Sequence, residues 1–171
     1  MKRSFFFLFF IGVLLVHTYA QTKSSWREAT PQELEAFLPA RAPVEGERIE
    51  TEMRTASGII NSRGQLIAGV VLITAGYAAQ GKYSHYLLTQ SPLTIGDGVV
   101  LSAGAYVIGW QHADNGLLVH IYEAATGVER GATVARPITQ FKGVESFRIW
   151  ALPDRKVIQI GRFMLPYSAE S

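Results

Sequence analysis

Short apolar segments separated by turn residues fill most of the chain from residue 57 onward. Many of them alternate apolar and polar residues, and they are bounded by clusters such as Asn61–Gly64 and Ala113–Gly116. Alternation with a period of two is typical of β-strands. The pattern predicts about eight or nine strands, and the Asn115-Gly116 dipeptide is the strongest hairpin signal among them. The longer predicted strands are Leu66–Ile73, Tyr83–Gln90, Ala105–His112, Leu117–Glu123, Val128–Ala135, Ser146–Ala151 and Lys156–Leu165.

One helix signal precedes these strands. Thr30 offers a hydroxyl N-cap, Pro31 takes the first helical position, and Glu33 is placed to close a capping box. Apolar residues follow on one helix face, and a proline ends the segment. We therefore expect one short helix from Pro31 to Leu38.

Together these elements predict a mainly β fold. It is expected to be an antiparallel β-sandwich with one short N-terminal helix, and a small closed β-barrel is the alternative. Residues 21–55 are expected to form a flexible and helical leader and linker, and residues 56–171 the antiparallel β domain. Leu66–Ile73 is continuously apolar, and its β-branched residues favour a central strand buried on both faces. As an exposed edge, it would instead indicate a subunit of a larger assembly.

The first 20 residues have the organisation of a cleaved signal peptide. Lys2 and Arg3 give a basic start, an apolar run extends from Phe5 to Val16, and Thr18 and Ala20 are small residues before a cleavage site. The run is shorter than the roughly 20 residues that span a bilayer, and an uncleaved anchor helix is the alternative. We expect a secreted or periplasmic protein without an integral membrane span after cleavage.

Charge and cysteine content narrow the classes of partner and site. Of the 16 basic residues, Lys2 and Arg3 belong to the signal peptide, which leaves 14 against 14 acidic residues. A balanced chain lacks the basic excess that nucleic-acid binding needs, so no nucleic-acid partner is expected. The absence of cysteine excludes disulfides, thiolate metal sites and a cysteine nucleophile.

Two histidines flank the predicted hairpin. A two-residue turn at Asn115-Gly116 would place His112 opposite Val119 and His120 opposite Gln111. The two imidazoles would then project from opposite faces of the sheet and share no metal ion, whereas a three-residue turn would bring them onto one face.

A third histidine, His85, follows Ser84 on a predicted strand. Adjacent side chains of a strand point apart, which argues against a hydrogen-bonded serine–histidine pair. The chain also contains no nucleophile-elbow, zinc-protease or phosphate-loop motif. No catalytic residue, cofactor or metal site is therefore predicted.

Strand alternation groups four candidate ligand-binding residues on one face of the hairpin. With a two-residue turn, Tyr106, Trp110 and His112 of one strand share a face with Glu123 of the next. Such a face fits a ligand pocket with an aromatic floor and polar groups at its edge. The alternative is ordinary core, with His112 and Glu123 at its rim.

Leu101–Val107 contains an Ala-Gly-x-Tyr sequence at the start of a strand. This segment is similar to the strand starts of secreted transthyretin-like and carboxypeptidase-regulatory-like β-sandwich modules. The resemblance implies structural roles, with Gly104 in the turn and Tyr106 in the core, and it implies no catalytic residue.

The sequence as a whole favours a non-catalytic exported binding or interaction domain that acts on an envelope or extracellular partner. A small-ligand carrier is one alternative, and it requires an unfilled barrel interior lined by Trp110 and Tyr106. A hydrolase is the other, and it requires a histidine and a carboxylate within hydrogen-bond distance of each other in a cleft.

Overall fold

The computed structural model describes residues 26–74, 82–139, 143–152 and 155–169, and the expected signal peptide lies outside these ranges. Within them the chain forms thirteen strands and one short helix, which confirms the mainly β prediction. The elements are β1 Trp26–Glu28, α1 Pro31–Phe37, β2 Arg41–Val44, β3 Glu47–Asn61, β4 Leu66–Ile73, β5 His85–Thr89, β6 Leu93–Ile95, β7 Val99–Leu101, β8 Gly104–Ala113, β9 Gly116–Glu123, β10 Glu129–Pro137, β11 Glu145–Leu152, β12 Arg155–Gly161 and β13 Phe163–Ala169.

The strands form one antiparallel sheet that curls into a nearly closed barrel, the alternative of the two predicted architectures. Its order is β1-β3-β4-β5-β8-β9-β10-β13-β12-β11, while β2 pairs with β3, and β6 pairs with β7 and β13. The two ends of the sheet meet at a seam, where β11 contacts β1 and β3. Across the seam, the Ile149 amide donates to Ser57 Oγ at 2.9 Å, and Arg148 lies 2.9 Å from the Glu28 carboxylate.

Alternation along the strands separates an interior cluster from an outer one. The outer cluster covers β4, β5, β8 and β9, and α1 and the β2–β3 hairpin lie on it. Because β4 lies between β3 and β5 and is buried along most of its length, it is the predicted central strand and not an exposed edge. The interior cluster includes Ile59, Val70, Leu87, Ile108, Val119, Ile121, Ile149, Ile158 and Leu165.

The helix sits on a pair of glycines. Gly58 of β3 and Gly69 of β4 are register partners, and Leu34 of α1 and Leu38, the residue that follows the helix, lie over them. A Cβ at Gly58 would be 2.8 Å from Leu34 Cδ2, so a larger residue would push the helix away from the sheet. Among the described residues, no helix combines the length and the apolar composition needed to cross a membrane.

Local predictions fail in two places. Trp26–Glu28 lacks a strand-like pattern and was expected to be flexible, yet it forms β1 by pairing with the end of β3. Lys156–Leu165 is not one strand, because Gly161 has a φ of 58° and begins a turn between β12 and β13. In addition, β3 runs through residue 55, the predicted boundary between leader and β domain.

The β8–β9 hairpin turns one residue earlier than the sequence suggests, which shifts the register of its strands by two residues. Asp114-Asn115 forms the turn, and His112 pairs with Leu117, whereas the sequence predicts Val119 as its partner. A displacement by two residues preserves the period of the strands, so the predicted grouping of side chains by face remains correct.

Thr30→Ala is expected to lower the free energy of unfolding by about 1 kcal/mol. Thr30 Oγ1 accepts a hydrogen bond from the Glu33 amide at 3.3 Å, and the Glu33 carboxylate accepts one from the Thr30 amide at 2.8 Å. Alanine removes the first of these bonds. Urea denaturation measures the loss, and Thr30→Ser, which keeps the hydroxyl, is the control. Equal losses of stability in the two variants would contradict a capping role for the Thr30 hydroxyl.

Gly116→Ala is expected to lower the free energy of unfolding by roughly 1 to 3 kcal/mol. A Cβ at Gly116 would lie 2.0 Å from the carbonyl oxygen of Ala135, so β9 and β10 would have to separate. Gly143→Ala is the matched control because a Cβ there meets nothing within 4 Å. Thermal unfolding of both variants tests this close approach, and unchanged stability of Gly116→Ala would contradict it.

Candidate functional site

The four predicted ligand-binding residues are divided between the two ends of the barrel. Tyr106 and Glu123 are register partners near one end, and Trp110 and His112 lie toward the other end of β8. At roughly 3.4 Å per residue, Tyr106 and Trp110 are about 14 Å apart along the strand. Ile108, which is 2% exposed, fills the interior between them. The structure therefore forms two separate depressions from these residues.

The depression at Tyr106 and Glu123 has a volume of about 240 Å³. The Tyr106 hydroxyl donates to the Ser102 carbonyl at 2.9 Å, which fits the structural role implied by the Ala-Gly-x-Tyr resemblance. The Glu123 carboxylate accepts from the Thr126 hydroxyl at 2.7 Å and pairs with Arg130 at 3.0 Å. These two hydrogen bonds hold the pKa of Glu123 below its usual value. The polar groups at this end are thus occupied by protein partners.

The opposite end of the barrel carries a depression of about 280 Å³ with a mainly apolar lining, which we call the mouth depression. Trp110 and Phe163 are partly exposed there, and Val144 is 64% exposed. The His112 ring lies 6.2 Å from the Phe163 ring in an edge-on arrangement. The remaining lining residues are Leu117, Glu145, Ser146, Ile160 and Gly161.

Behind Trp110 lies His85, which is only 2% exposed. Its ring centre is 5.2 Å from that of Trp110 and 5.0 Å from that of Phe147, and the latter two are 6.1 Å apart. The three rings therefore form a triangle. His85 is the register partner of Ile108, so Trp110 is its diagonal neighbour on the same face, within reach of an aromatic side chain.

The prediction that Ser84 and His85 point apart is wrong. Ser84 Oγ lies 3.0 Å from His85 Nδ1 and 3.4 Å from the Ile108 carbonyl oxygen. Strand alternation does not govern Ser84, because β5 begins one residue later. The Ile108 carbonyl can only accept, but it is the more distant of the two partners of Ser84 Oγ, and the direction of the 3.0 Å contact with Nδ1 depends on the tautomer of His85. With the proton on Nδ1, the imidazole donates to the serine oxygen, which is the reverse of a nucleophile–base pair.

The second ring nitrogen of His85, Nε2, is buried and has no hydrogen-bond partner among the described residues. Burial lowers the pKa of His85 from 6.5 to about 4, because the imidazolium ion would lose its hydration. The ring is therefore neutral at pH 7. With the proton on Nδ1, Nε2 carries a lone pair that no described residue uses.

A histidine–carboxylate pair is present on the outer face. His120 Nδ1 lies 2.7 Å from Glu129 Oε1, and the His120 ring stacks on Tyr122 at 6.1 Å. His120 and His112 lie on opposite faces, as predicted. The pair lines neither of the two depressions above nor the groove at the seam.

The seam forms a groove of about 430 Å³. Arg148 pairs there with Glu28 at 2.9 Å and with Glu145 at 3.5 Å, and its guanidinium lies 4.0 Å from the Trp150 ring centre. β3 bulges beside the groove, between Glu52 and Ser57. At this bulge the Leu72 amide of β4 donates its hydrogen bond to the side-chain oxygen Oγ1 of Thr55. The positive charge of Arg148 is therefore already paired with the carboxylates of Glu28 and Glu145.

The sequence patterns did not identify Phe147 or Phe163 as site residues, although Phe147 completes the ring triangle and Phe163 completes the mouth depression. Both come from the last three strands, far from β8 in the chain. The available signal was the alternation that places Phe147 on the same face as the buried Ile149. Alternation identifies a face of a strand, but it does not show which distant strand that face meets.

His85 is expected to make stability depend on pH below its unfolded pKa of 6.5. The folded pKa is about 4, so between these values the unfolded chain binds a proton that the folded chain does not. The stabilisation from a neutral His85 is present above pH 6.5 and is lost as the pH falls toward 4, by about 3 kcal/mol in total.

The measurement is the free energy of unfolding of the protein and of His85→Phe between pH 4 and 7.5. The free energy of unfolding of the unsubstituted protein minus that of His85→Phe should fall as the pH is lowered from 6.5 toward 4. His112→Phe, at an exposed position, is the control and should keep the pH dependence of the unsubstituted protein. A constant difference for His85→Phe would contradict the depressed pKa.

Comparisons of this chain with models of protein families, with curated proteins and with solved structures find no match.

Proposed function

We propose that this protein is an exported, non-catalytic binding domain that takes an apolar group of a small molecule into the mouth depression. The observation that supports this most directly is a concave, mainly apolar lining at the end of a filled barrel. It leaves Trp110, Phe163 and Val144 partly in water, whereas most large apolar side chains of the described residues are buried. Covering such a surface is favourable by roughly 25 cal/mol per Å².

The dimensions favour a small molecule. The depression has a volume of about 280 Å³, close to the lower end of the roughly 300–1,000 Å³ typical of ligand pockets. A specific protein partner would cover about 800 Å² of this protein, which is much more than one such depression. The edge-on contact between His112 and Phe163 suits a ring or a short hydrocarbon chain as the occupant.

Export is supported by residues 1–20, whose basic start, apolar run and small residues fit a signal peptide. The ligand would accordingly be met in the periplasm or outside the cell. The equal numbers of basic and acidic residues after residue 20 give no support to a nucleic-acid partner.

Two observations favour binding over hydrolysis. Ser84 lines neither of the two depressions nor the seam groove, so a nucleophile formed at Ser84 would meet no substrate held there. The His120–Glu129 pair lies on the outer face, apart from the depressions described above. The alternative of a ligand carrier is retained in modified form, because the proposed site is at the barrel mouth and not in its interior.

Titration with p-xylene, followed through the methyl NMR signals of Leu117 and Ile160, tests the proposed site. We expect saturable shifts with a Kd of about 1 mM or lower, because both side chains line the depression. Val144→Asp introduces a charge at an exposed lining position and should weaken binding about tenfold or more.

Val128→Asp is the matched control. Val128 is also exposed, at 53%, but it does not line the mouth depression, so binding should be unchanged. The proposal fails if the lining methyl groups show no saturable shift, or if the two aspartate variants bind p-xylene equally well.

A further inference from the structure

We propose that Nε2 of His85 is the hydrogen-bond acceptor of the mouth site, and that its ligand is a ring-sized apolar molecule with one neutral O–H or N–H donor, such as a phenol or an indole. This inference rests on the proposed function and adds to it the chemical class of the ligand.

We assign the proton of the neutral imidazole to Nδ1. Ser84 Oγ, 3.0 Å from Nδ1, then accepts that proton, and its own hydroxyl has the Ile108 carbonyl at 3.4 Å as its acceptor. Nε2 is then an acceptor. His85 is 2% exposed, and its Nε2 atom is buried without a hydrogen-bond partner among the described residues. A buried acceptor without a partner is unfavourable, and a donor brought to it recovers that loss.

Trp110 connects this nitrogen to the mouth depression. Its ring lines the depression on one side and lies 5.2 Å from the His85 ring on the other. It is also partly exposed, whereas Phe147 is 5% exposed. A molecule in the mouth depression would reach Nε2 by displacing the Trp110 ring.

The seam groove is a poorer route to the same nitrogen. Phe147 separates His85 from that groove, and it is a buried member of the interior cluster. The Arg148 guanidinium in the groove is already paired with Glu28 and Glu145. An apolar ring gains more from the mouth depression, whose lining is mainly apolar.

The same surroundings select a neutral donor. A carboxylate has no proton to donate to Nε2, and an ammonium ion would lose its hydration among the three rings. A phenol or an indole retains an apolar body and supplies one donor. Either fits the edge-on and tilted ring contacts that the site already contains.

The test compares p-cresol with p-xylene, which differ by a hydroxyl in place of a methyl group. In the unsubstituted protein and in His85→Phe, the Kd of each ligand is measured by NMR titration. We expect the preference for p-cresol, expressed as the ratio of the two Kd values, to fall about tenfold or more in His85→Phe.

His120→Phe is the control, because His120 is an imidazole on the outer face that lines neither depression nor the seam groove. It should leave the ratio unchanged, whereas a fall in the ratio in His112→Phe and not in His85→Phe would overturn the assignment to His85. A second readout uses only the unsubstituted protein: the ¹⁵N signal of His85 Nε2 should move on addition of p-cresol and not of p-xylene. This readout decides the question if His85→Phe does not fold.

The outcomes separate this inference from the proposed function. If neither ligand binds at the mouth depression, both the proposed function and this inference fail. If both ligands bind, but the ratio is the same in His85→Phe and the Nε2 signal stays in place, the binding function stands and the donor-bearing ligand is excluded.

Discussion

Between β11 and β3 the sheet closes through side chains instead of a continuous backbone ladder, and the rest of the barrel depends on this seam. The Ile149 amide uses the Ser57 hydroxyl as its acceptor, and Arg148 reaches across to Glu28. These contacts fix β11 against the beginning of the sheet. Since β11 carries Phe147, the same contacts bring its ring against His85 and so complete the ring triangle. The mouth depression is lined in part by Val144, which precedes β11, and by Glu145 and Ser146 at the start of that strand.

The interior that the seam encloses is filled, and the buried imidazole of His85 is tolerated there because it stays neutral. His85 has a protein partner at Nδ1 and aromatic neighbours around the ring, but no described partner at Nε2. Native interiors satisfy nearly all of their buried polar atoms, so an unsatisfied one indicates a specific reason for its presence. A leucine or phenylalanine at this position would fill the space without that cost, which makes a binding role for the nitrogen a reasonable explanation.

Local signals in the sequence predicted local structure well. The Thr30 capping box follows from residue spacing, and the central position of Leu66–Ile73 follows from its continuous apolar, β-branched composition. The separation of His112 from His120 follows once the turn has two residues, as it does in the structure. Predictions failed where a distant strand decided the outcome. Gly116 looked like a turn residue, but its requirement is the close approach of Ala135 from β10. The candidate site was only partly predictable, because Phe147 and Phe163 join Trp110 through the closure of the sheet, which no periodicity encodes.

The last three strands are attached to the barrel by short junctions on both sides. β13 pairs with β10 only at Arg136 and Pro137 and with β6 along one short stretch, while β11 is held by the seam. By contrast, β8 and β9 pair without interruption from Tyr106 and Glu123 to Ala113 and Gly116. The three strands are thus joined to the barrel by fewer backbone pairs than join β8 to β9, while their side chains belong to the same interior cluster. The mouth depression crosses this junction, with Trp110 on one side and Phe163 on the other. A molecule bound there would contact both sides of the junction and would raise the stability of the folded chain by mass action.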